Sequence, residues 1–354
     1  MDTPDKSAKM DGKNGGSGNN SGRGRAALIV GVLLVAALAS VLLACVAGSV
    51  GVPVAELASG LAEILRGQPE SLPAVLLELR LARALAAFAT GASLALAGVM
   101  MQTLLRNPLA DPYVLGVSSG ASVGALAAML LAGATWMVDA GAFCGAAAIS
   151  LLLYLLARRD LRNGQAEGRA PLILLTGVIL AAGCGALVTL MLSLAPDTSL
   201  RGMVFWLMGD LSGAQTAWLP WLVLLVVLAI SLRQGRPINL LALHDDAAAT
   251  LGVRVGALRK SLFVCATLLT ASAVTSAGSI GFVGLIVPHG CRFAFGADHR
   301  VLLPVAMLAG GIFLVLADTL ARTLLAPQQL PVGAVTALIG VPVFLLQLHQ
   351  LHRK

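Results

Sequence analysis

The chain has 354 residues, of which 58% are hydrophobic and only 12% are charged, and its mean hydropathy is +0.89. Soluble domains carry about 25% charged residues, and a fold of this size still leaves roughly a quarter of its chain surface exposed. A water-soluble fold is therefore excluded, and most of the surface must face lipid. The formal net charge of +7 does not indicate nucleic-acid binding, because the basic residues lie between apolar runs and form no patch with aromatic or polar readers.

The amino-terminal segment differs from the rest of the chain. Residues 1–25 are rich in Gly, Asn, Ser and Lys and offer almost nothing to bury, which is typical of disordered segments. We expect a disordered cytoplasmic tail over 1–25 and one membrane domain over 26–354. The five cysteines have no paired spacing, so we expect neither a disulfide frame nor a metal site. We expect no cofactor.

Long apolar runs recur along the remaining chain, and about 20 apolar residues cross a bilayer as a helix. The sequence predicts an all-α, polytopic membrane protein with about ten transmembrane helices. Their expected ranges are 26–48, 84–105, 113–133, 138–157, 171–194, 217–232, 261–279, 281–295, 301–320 and 332–350. The eighth contains Gly281, Gly284 and Pro288, which predicts a bent or partial span that packs against protein or lines a cavity.

The distribution of Lys and Arg predicts the orientation. With ten spans and the amino terminus inside, 19 of the 24 basic residues fall on the cytoplasmic side and 5 on the other. Both termini are therefore expected in the cytoplasm. Small residues also recur at helical spacing, for example at Gly91, Ala95 and Gly98. They favour closely packed helices, although an Ala- and Gly-rich genome would give the same pattern.

Three segments are not explained by membrane spanning alone. The first holds Arg80 and Arg83, at the outer mouth of the second span. The second is a predicted tight cytoplasmic turn, and its turn-forming residues are Asn107, Pro108, Asp111 and Pro112.

The third segment, residues 241–254, is called the coupling segment below. An Asp pair, Asp245 and Asp246, precedes a short Ala-rich stretch that ends at Gly252. This pattern predicts a short helix with an Asp cap and a left-handed glycine exit, a shape that suits a groove on a partner protein. An ordinary solvated loop is the alternative.

The chain resembles the FecCD-type permeases of ABC importers, which carry ferric siderophores, haem or cobalamin. The resemblance covers about residues 78–350 and rests on the Asn-Pro-Leu-Ala-Asp-Pro turn at 107–112 together with three further motifs. These are Gly-Ser-Ile-Gly-Phe-Val-Gly-Leu-Ile-Val-Pro-His at 278–289, Asp-His-Arg at 298–300 and Leu-Pro-Val-Gly at 330–333.

The resemblance implies an assembly in the bacterial inner membrane. Two permease copies, expected as a homodimer, would enclose the translocation path, with two ATPase subunits below and a periplasmic substrate-binding protein above. The segment that would contact the ATPase comprises His244, Asp245, Asp246, Ala247, Ala248, Thr250, Leu251, Gly252 and Arg254.

The resemblance also implies that Arg80, Arg83 and Arg322 receive acidic residues of the binding protein. Arginine suits this role because its guanidinium group binds carboxylates bidentately. A structural role is the alternative. Asp318 precedes Arg322 by one helical turn, a spacing that favours an ion pair within the helix.

Two other classes of membrane protein remain as alternatives. An intramembrane enzyme would need ionisable or nucleophilic groups within the spans, and the middles of the expected spans hold almost none. An ion-coupled secondary transporter built from backbone carbonyl sites stays open. The chain has no phosphate-binding loop of the Gly-x-x-x-x-Gly-Lys-Ser/Thr type, so ATP hydrolysis is expected in a partner subunit. The sequence does not identify the cargo; the family's range favours ferric siderophores, then haem and cobalamin.

Overall fold

The structure is a computed structural model that describes residues 17–48, 54–67, 69–131, 133–163, 172–213, 218–243 and 245–351. Most of the predicted tail lies outside these residues, as does His244 of the coupling segment. The first helix begins at Ser17, ahead of the expected start of the first span.

The described residues form fourteen α-helices. The first seven are α1 (Ser17–Val46), α2 (Val54–Leu65), α3 (Leu72–Leu104), α4 (Val117–Leu130), α5 (Thr135–Asn163), α6 (Leu172–Leu194) and α7 (Asp197–Met208). The second seven are α8 (Trp218–Arg233), α9 (Gly235–Leu243), α10 (Asp245–Thr250), α11 (Val255–Ala277), α12 (Val283–Phe295), α13 (His299–Thr323) and α14 (Val332–Leu351). A short 3₁₀ helix, Pro112–Leu115, precedes α4.

Length and composition divide the helices into clear groups. Six of those described are long and apolar enough to cross a membrane, and the pair α8 and α9, bent by 66°, makes a seventh. Three shorter apolar helices, α4, α12 and α14, coincide with the three remaining predicted spans. The all-α, polytopic prediction is confirmed. Three helices outside the predicted spans, α2, α7 and α9, were not predicted.

Helix α3 lies at the centre of the bundle. In its most apolar 18-residue window, 94% of the residues are buried, compared with 17% in α6. It packs against α11, α12 and α13. The sequence placed the start of this span at residue 84, but the helix begins at Leu72. Arg80 and Arg83 therefore lie inside α3.

Glycines at the predicted positions allow the helix backbones to approach closely. A side chain on Gly98 would overlap the carbonyl group of Gly284 on α12, and one on Gly91 would overlap Gly310 on α13. Two further glycine pairs join α4 and α5; they are Gly120 with Gly145 and Gly124 with Gly141. Because lipid offers no hydrophobic drive between helices, such close contacts supply packing energy instead.

The predicted break near the eighth span is confirmed. Residues 278–282 are irregular, and the 13-residue helix α12 follows. The hydroxyl oxygen of Tyr113 accepts a hydrogen bond from the backbone N–H of Ile280 at 3.1 Å, and the Gln102 amide donates to the Leu285 carbonyl oxygen at 3.2 Å. These contacts satisfy backbone groups that lipid could not satisfy.

The bundle has two polar ends, which are connected by α3. At one end, the hydroxyl oxygen of Thr103 on α3 lies 2.9 Å from the imidazole Nε2 of His299 on α13. At the other end, Arg83 of α3 binds Asp318 of α13. We call these the coupling end and the Asp318 end. Twenty residues of α3 separate the two contacts, or about 30 Å at 1.5 Å per residue. That distance matches the thickness of the hydrocarbon core of a bilayer.

Candidate functional site

The coupling segment forms a short helix with a left-handed glycine exit at the coupling end. Helix α10 spans Asp245–Thr250, and Gly252 has a φ of +82°. The N–H of Gly252 donates to the Ala249 carbonyl oxygen, and that of Val253 to the Ala248 carbonyl oxygen, both at 3.0 Å. This is the paired hydrogen-bond pattern of a glycine-terminated helix.

The outer side of α10 is available for contact. Ala248 is fully buried against the bundle. The exposed residues of the described part of the segment are Ala242, Leu243, Asp246, Ala247, Ala249, Thr250, Leu251, Gly252 and Arg254. Leu251 is 66% exposed and Leu243, just before α10, is 68% exposed, so the helix is flanked by two prominent apolar side chains.

Asp245 makes contacts that the sequence did not predict. We expected Asp245 or Asp246 to cap the first turn of α10, but the contacts that Asp245 makes within the described residues are ion pairs with Arg106 and Arg259. Arg106 follows the end of α3 and also donates to the Leu241 carbonyl oxygen at 3.3 Å. Arg259 belongs to α11. The start of α10 is therefore tied to two other helices.

A second polar connection joins α9 to the core. The side-chain oxygen of Asn239 accepts a hydrogen bond from the His299 backbone N–H at 2.8 Å and lies 2.7 Å from the imidazole Nδ1. The other imidazole nitrogen lies 2.9 Å from the Thr103 hydroxyl oxygen. The Asn239 amide also donates to Asp298 at 2.7 Å. Helices α3, α9 and α13 thus meet at His299.

The chain turns after α3 at the predicted residues, and the cytoplasmic location of this turn stays a prediction. Asn107 accepts a hydrogen bond from the Leu109 N–H at 2.9 Å, and Asp111 accepts one from the Tyr113 N–H at 2.7 Å, which caps the 3₁₀ helix. Pro108 and Pro112 occupy the positions that follow Asn107 and Asp111. The turn brings Arg106 next to α10.

At the Asp318 end, the three arginines of the docking prediction contact groups of the chain itself. Arg83 binds Asp318 bidentately, with nitrogen–oxygen distances of 2.8–3.1 Å, and contacts Gln329 at 3.0 Å. Arg322 pairs with Asp318 at 3.1 Å, so the predicted ion pair within the helix is confirmed. The side chains of Arg83, Arg322 and Asp318 are 11%, 7% and 2% exposed.

Arg80 and Arg322 also bind the carbonyl groups at the carboxyl-terminal end of α1. Arg80 donates to the carbonyl oxygens of Cys45 and Val46 at 3.0 and 3.2 Å, and Arg322 donates to that of Ala44 at 3.2 Å. These carbonyls belong to the last turn of α1, where a helix leaves its C=O groups unpaired and carries partial negative charge. The arginines therefore join α1 to α3 and α13.

Sequence reasoning missed three residues of these sites: Arg106 and Arg259 beside α10, and Asn239 beside His299. The Asp-His-Arg motif at 298–300 did single out the neighbourhood of His299.

Known proteins resemble this chain in sequence and in fold. The model of the FecCD transport family matches residues 32–350. The vitamin B12 import system permease proteins BtuC of Salmonella typhimurium and Salmonella paratyphi A are 42% identical to the chain over 273 residues, which are 76% of this chain and 81% of theirs.

Two solved structures are similar. A metal-chelate type ABC transporter in an inward-facing conformation matches with a TM-score of 0.76 and 29% identity, covering 92% of this chain and 99% of that one. PsaBC from Streptococcus pneumoniae in complex with Fab matches with a TM-score of 0.55 and 16% identity over 81% and 95% of the two chains, which supports the fold alone. The chain is therefore a member of the FecCD transport family, a multi-pass permease of the ABC importers.

Proposed function

We propose that this chain is the membrane subunit of an importer that moves a metal chelate from the periplasm to the cytoplasm, with cobalamin as the first candidate cargo. The observation that carries the proposal is the 42% identity to vitamin B12 import permeases over 76% of the chain. The sequence alone favoured ferric siderophores ahead of haem and cobalamin. The names of these relatives are our reason for testing cobalamin first.

We further propose that α10 is the surface that receives a separate ATPase subunit. Its support is the exposed side of a short helix flanked by Leu243 and Leu251, which are 68% and 66% exposed. Exposed apolar side chains beside a helix are typical of helix-in-groove recognition. ATP hydrolysis then belongs to that partner, and this chain transmits the movement to the translocation path.

The second partner in the proposal is another copy of this chain. Helix α6 supports it, because Gly183 and Gly185 would each place an added side chain in open space. Leu187 and Leu190 on the same helix are 47% and 55% exposed. An uncovered strip of small and apolar residues suits close helix pairing within a membrane.

The third partner is a periplasmic substrate-binding protein at the Asp318 end, received by Arg80, Arg83 and Arg322. Arg83 and Arg322 share the single carboxylate of Asp318, so this pairing leaves an excess of positive charge that would attract acidic residues. Because these arginines also hold helices together, a docking test must measure the affinity for the binding protein and the stability of the permease on the same variants. Loss of affinity at unchanged stability would support docking.

Uptake in cells tests the cargo. Bacteria that lack their own cobalamin permease would express this chain with the ATPase and binding protein encoded beside it, and cobalt-labelled cobalamin uptake would be measured. Excess unlabelled cobalamin should abolish the uptake, whereas a ferric siderophore or haem should leave it unchanged. Competition by either iron chelate, or no cobalamin uptake in cells where the complex assembles, would contradict the cargo assignment.

A further inference from the structure

Helix α10 has few connections of its own to the bundle. It has only six residues, of which Ala248 alone is buried, and it packs mainly against α9 and α11. Packing alone would let so small an element shift on the surface without moving the helices behind it. A force applied to α10 reaches the core only if a stronger contact transmits it.

The ion pairs of Asp245 provide such a contact. One carboxylate oxygen binds Arg259 of α11 at 2.5 Å, and the other binds Arg106 at the end of α3. The side chains of Asp245, Arg259 and Arg106 are 19%, 4% and 30% exposed. Charge-assisted contacts to guanidinium groups are about twice as strong as neutral hydrogen bonds, and partial burial protects them from screening by salt.

Asp245 is also the group that balances two positive charges. Within the described residues, the hydrogen bond that Arg259 makes is the one to Asp245, and its Nε atom has no partner. Without the carboxylate, two guanidinium groups would face each other, one of them buried. Such an arrangement is strongly unfavourable, so the three side chains stay together when the segment moves.

We propose that Asp245 is a positioning residue that transmits movement of α10 to α3 and α11, through Arg106 and Arg259. Helix α3 is the most buried helix of the bundle, so a displacement of its end is passed to the helices that surround it. Asp245 faces the bundle, while the exposed side of α10 remains for the ATPase. The inference rests on the proposed function, since it assigns the path by which the movement of an ATPase subunit enters this chain.

The test uses the purified complex of permease, ATPase and binding protein in proteoliposomes. Asp245→Asn removes the negative charge with little change in size. Arg106→Gln removes the contact to the end of α3, together with the hydrogen bond to Leu241, and leaves the buried Arg259 pair. Arg236→Gln is the matched control, because Arg236 is exposed on α9 at the same end and lies outside the ion pairs. Three quantities are measured: ATPase subunit recovered per permease, cobalamin transported per ATP hydrolysed, and a spin-label distance between position 249 on α10 and position 109 after α3.

We expect Asp245→Asn and Arg106→Gln to recover the ATPase normally and to transport at least fivefold less cobalamin per ATP. The distance between the labels at positions 249 and 109 should be unchanged by nucleotide in the parent protein and should change with nucleotide in both variants. Asp245→Glu should restore part of the coupling, and Arg236→Gln should behave as the parent. If Asp245→Asn does not fold, the comparison of Arg106→Gln with the Arg236→Gln control tests the inference by itself.

Two results would overturn the inference. The first is that both variants show the same transport per ATP and the same label distances as the control. Alternatively, the variants could lose the ATPase while the permease stays folded, which would make Asp245 part of the contact with the ATPase. Failure of the parent permease to recover any ATPase would instead contradict the proposed function, so the two failures are distinguishable.

Discussion

At the scale of single residues, the charge balance at the Asp318 end depends on one carboxylate. Asp318 is buried and pairs with both Arg83 and Arg322, while Arg80 and Arg322 bind the last carbonyls of α1. The spacing of four residues predicts the pair of Asp318 with Arg322. Nothing in the sequence predicts the pair with Arg83, which lies 235 positions away and depends on how α3 and α13 pack.

Replacing Asp318 with Asn should destabilise the permease. Arg83 and Arg322 would remain buried without their counter-charge, and breaking a buried pair in this way costs about 3–5 kcal/mol. Thermal unfolding of the purified permease in detergent would measure the loss. Glu78→Gln is the control, because Glu78 is exposed on the same helix as Arg83. Equal stability of the two variants would show that Asp318 does not balance this cluster.

At the scale of helices and turns, the apolar runs predict the spans well because length and hydropathy are local properties. The same criterion misses α2 and α7, of 12 residues each, which are too short to cross a membrane. It also truncates α3, since Arg80 and Arg83 interrupt the apolar run. Inside the bundle, Arg80 binds a carbonyl group at the end of α1 and Arg83 pairs with Asp318. The ties of Asp245 could not be predicted, because Arg106 and Arg259 lie 139 and 14 positions away.

The exit of α10 gives a prediction at the same scale. Gly252 has a φ of +82° and open space around it, so a substitution there strains the backbone without a clash inside this chain. Gly252→Val should cost about 1–2 kcal/mol locally and lower either the ATPase recovered per permease or the transport per ATP. Gly252→Asn, which tolerates this conformation, should retain both.

Recovery of the ATPase with the purified Gly252 variants would decide whether this turn matters for assembly. The membrane-inserted amount of each variant serves as the control, since the spans do not depend on the exit of α10. Normal recovery and normal transport in Gly252→Val would show that this turn is not the coupling joint.

At the scale of the whole molecule, the sequence predicts which polar end of the bundle faces which side of the membrane. The 19-to-5 distribution of basic residues predicts that the coupling end and both termini lie in the cytoplasm. In a cysteine-free background, a single cysteine at position 199 should react with an impermeant thiol reagent from outside, and one at position 160 should not. Labelling in the opposite sense would reverse the predicted topology.

The central claim is that ATP hydrolysis by a partner drives transport through this chain. The most direct measurement is cobalamin accumulation in proteoliposomes that hold the permease and its ATPase, with ATP inside and the loaded binding protein outside. We expect accumulation only when ATP and the binding protein are both present, and none from a sodium or proton gradient alone. Accumulation driven by an ion gradient without ATP would contradict the account and identify a secondary transporter.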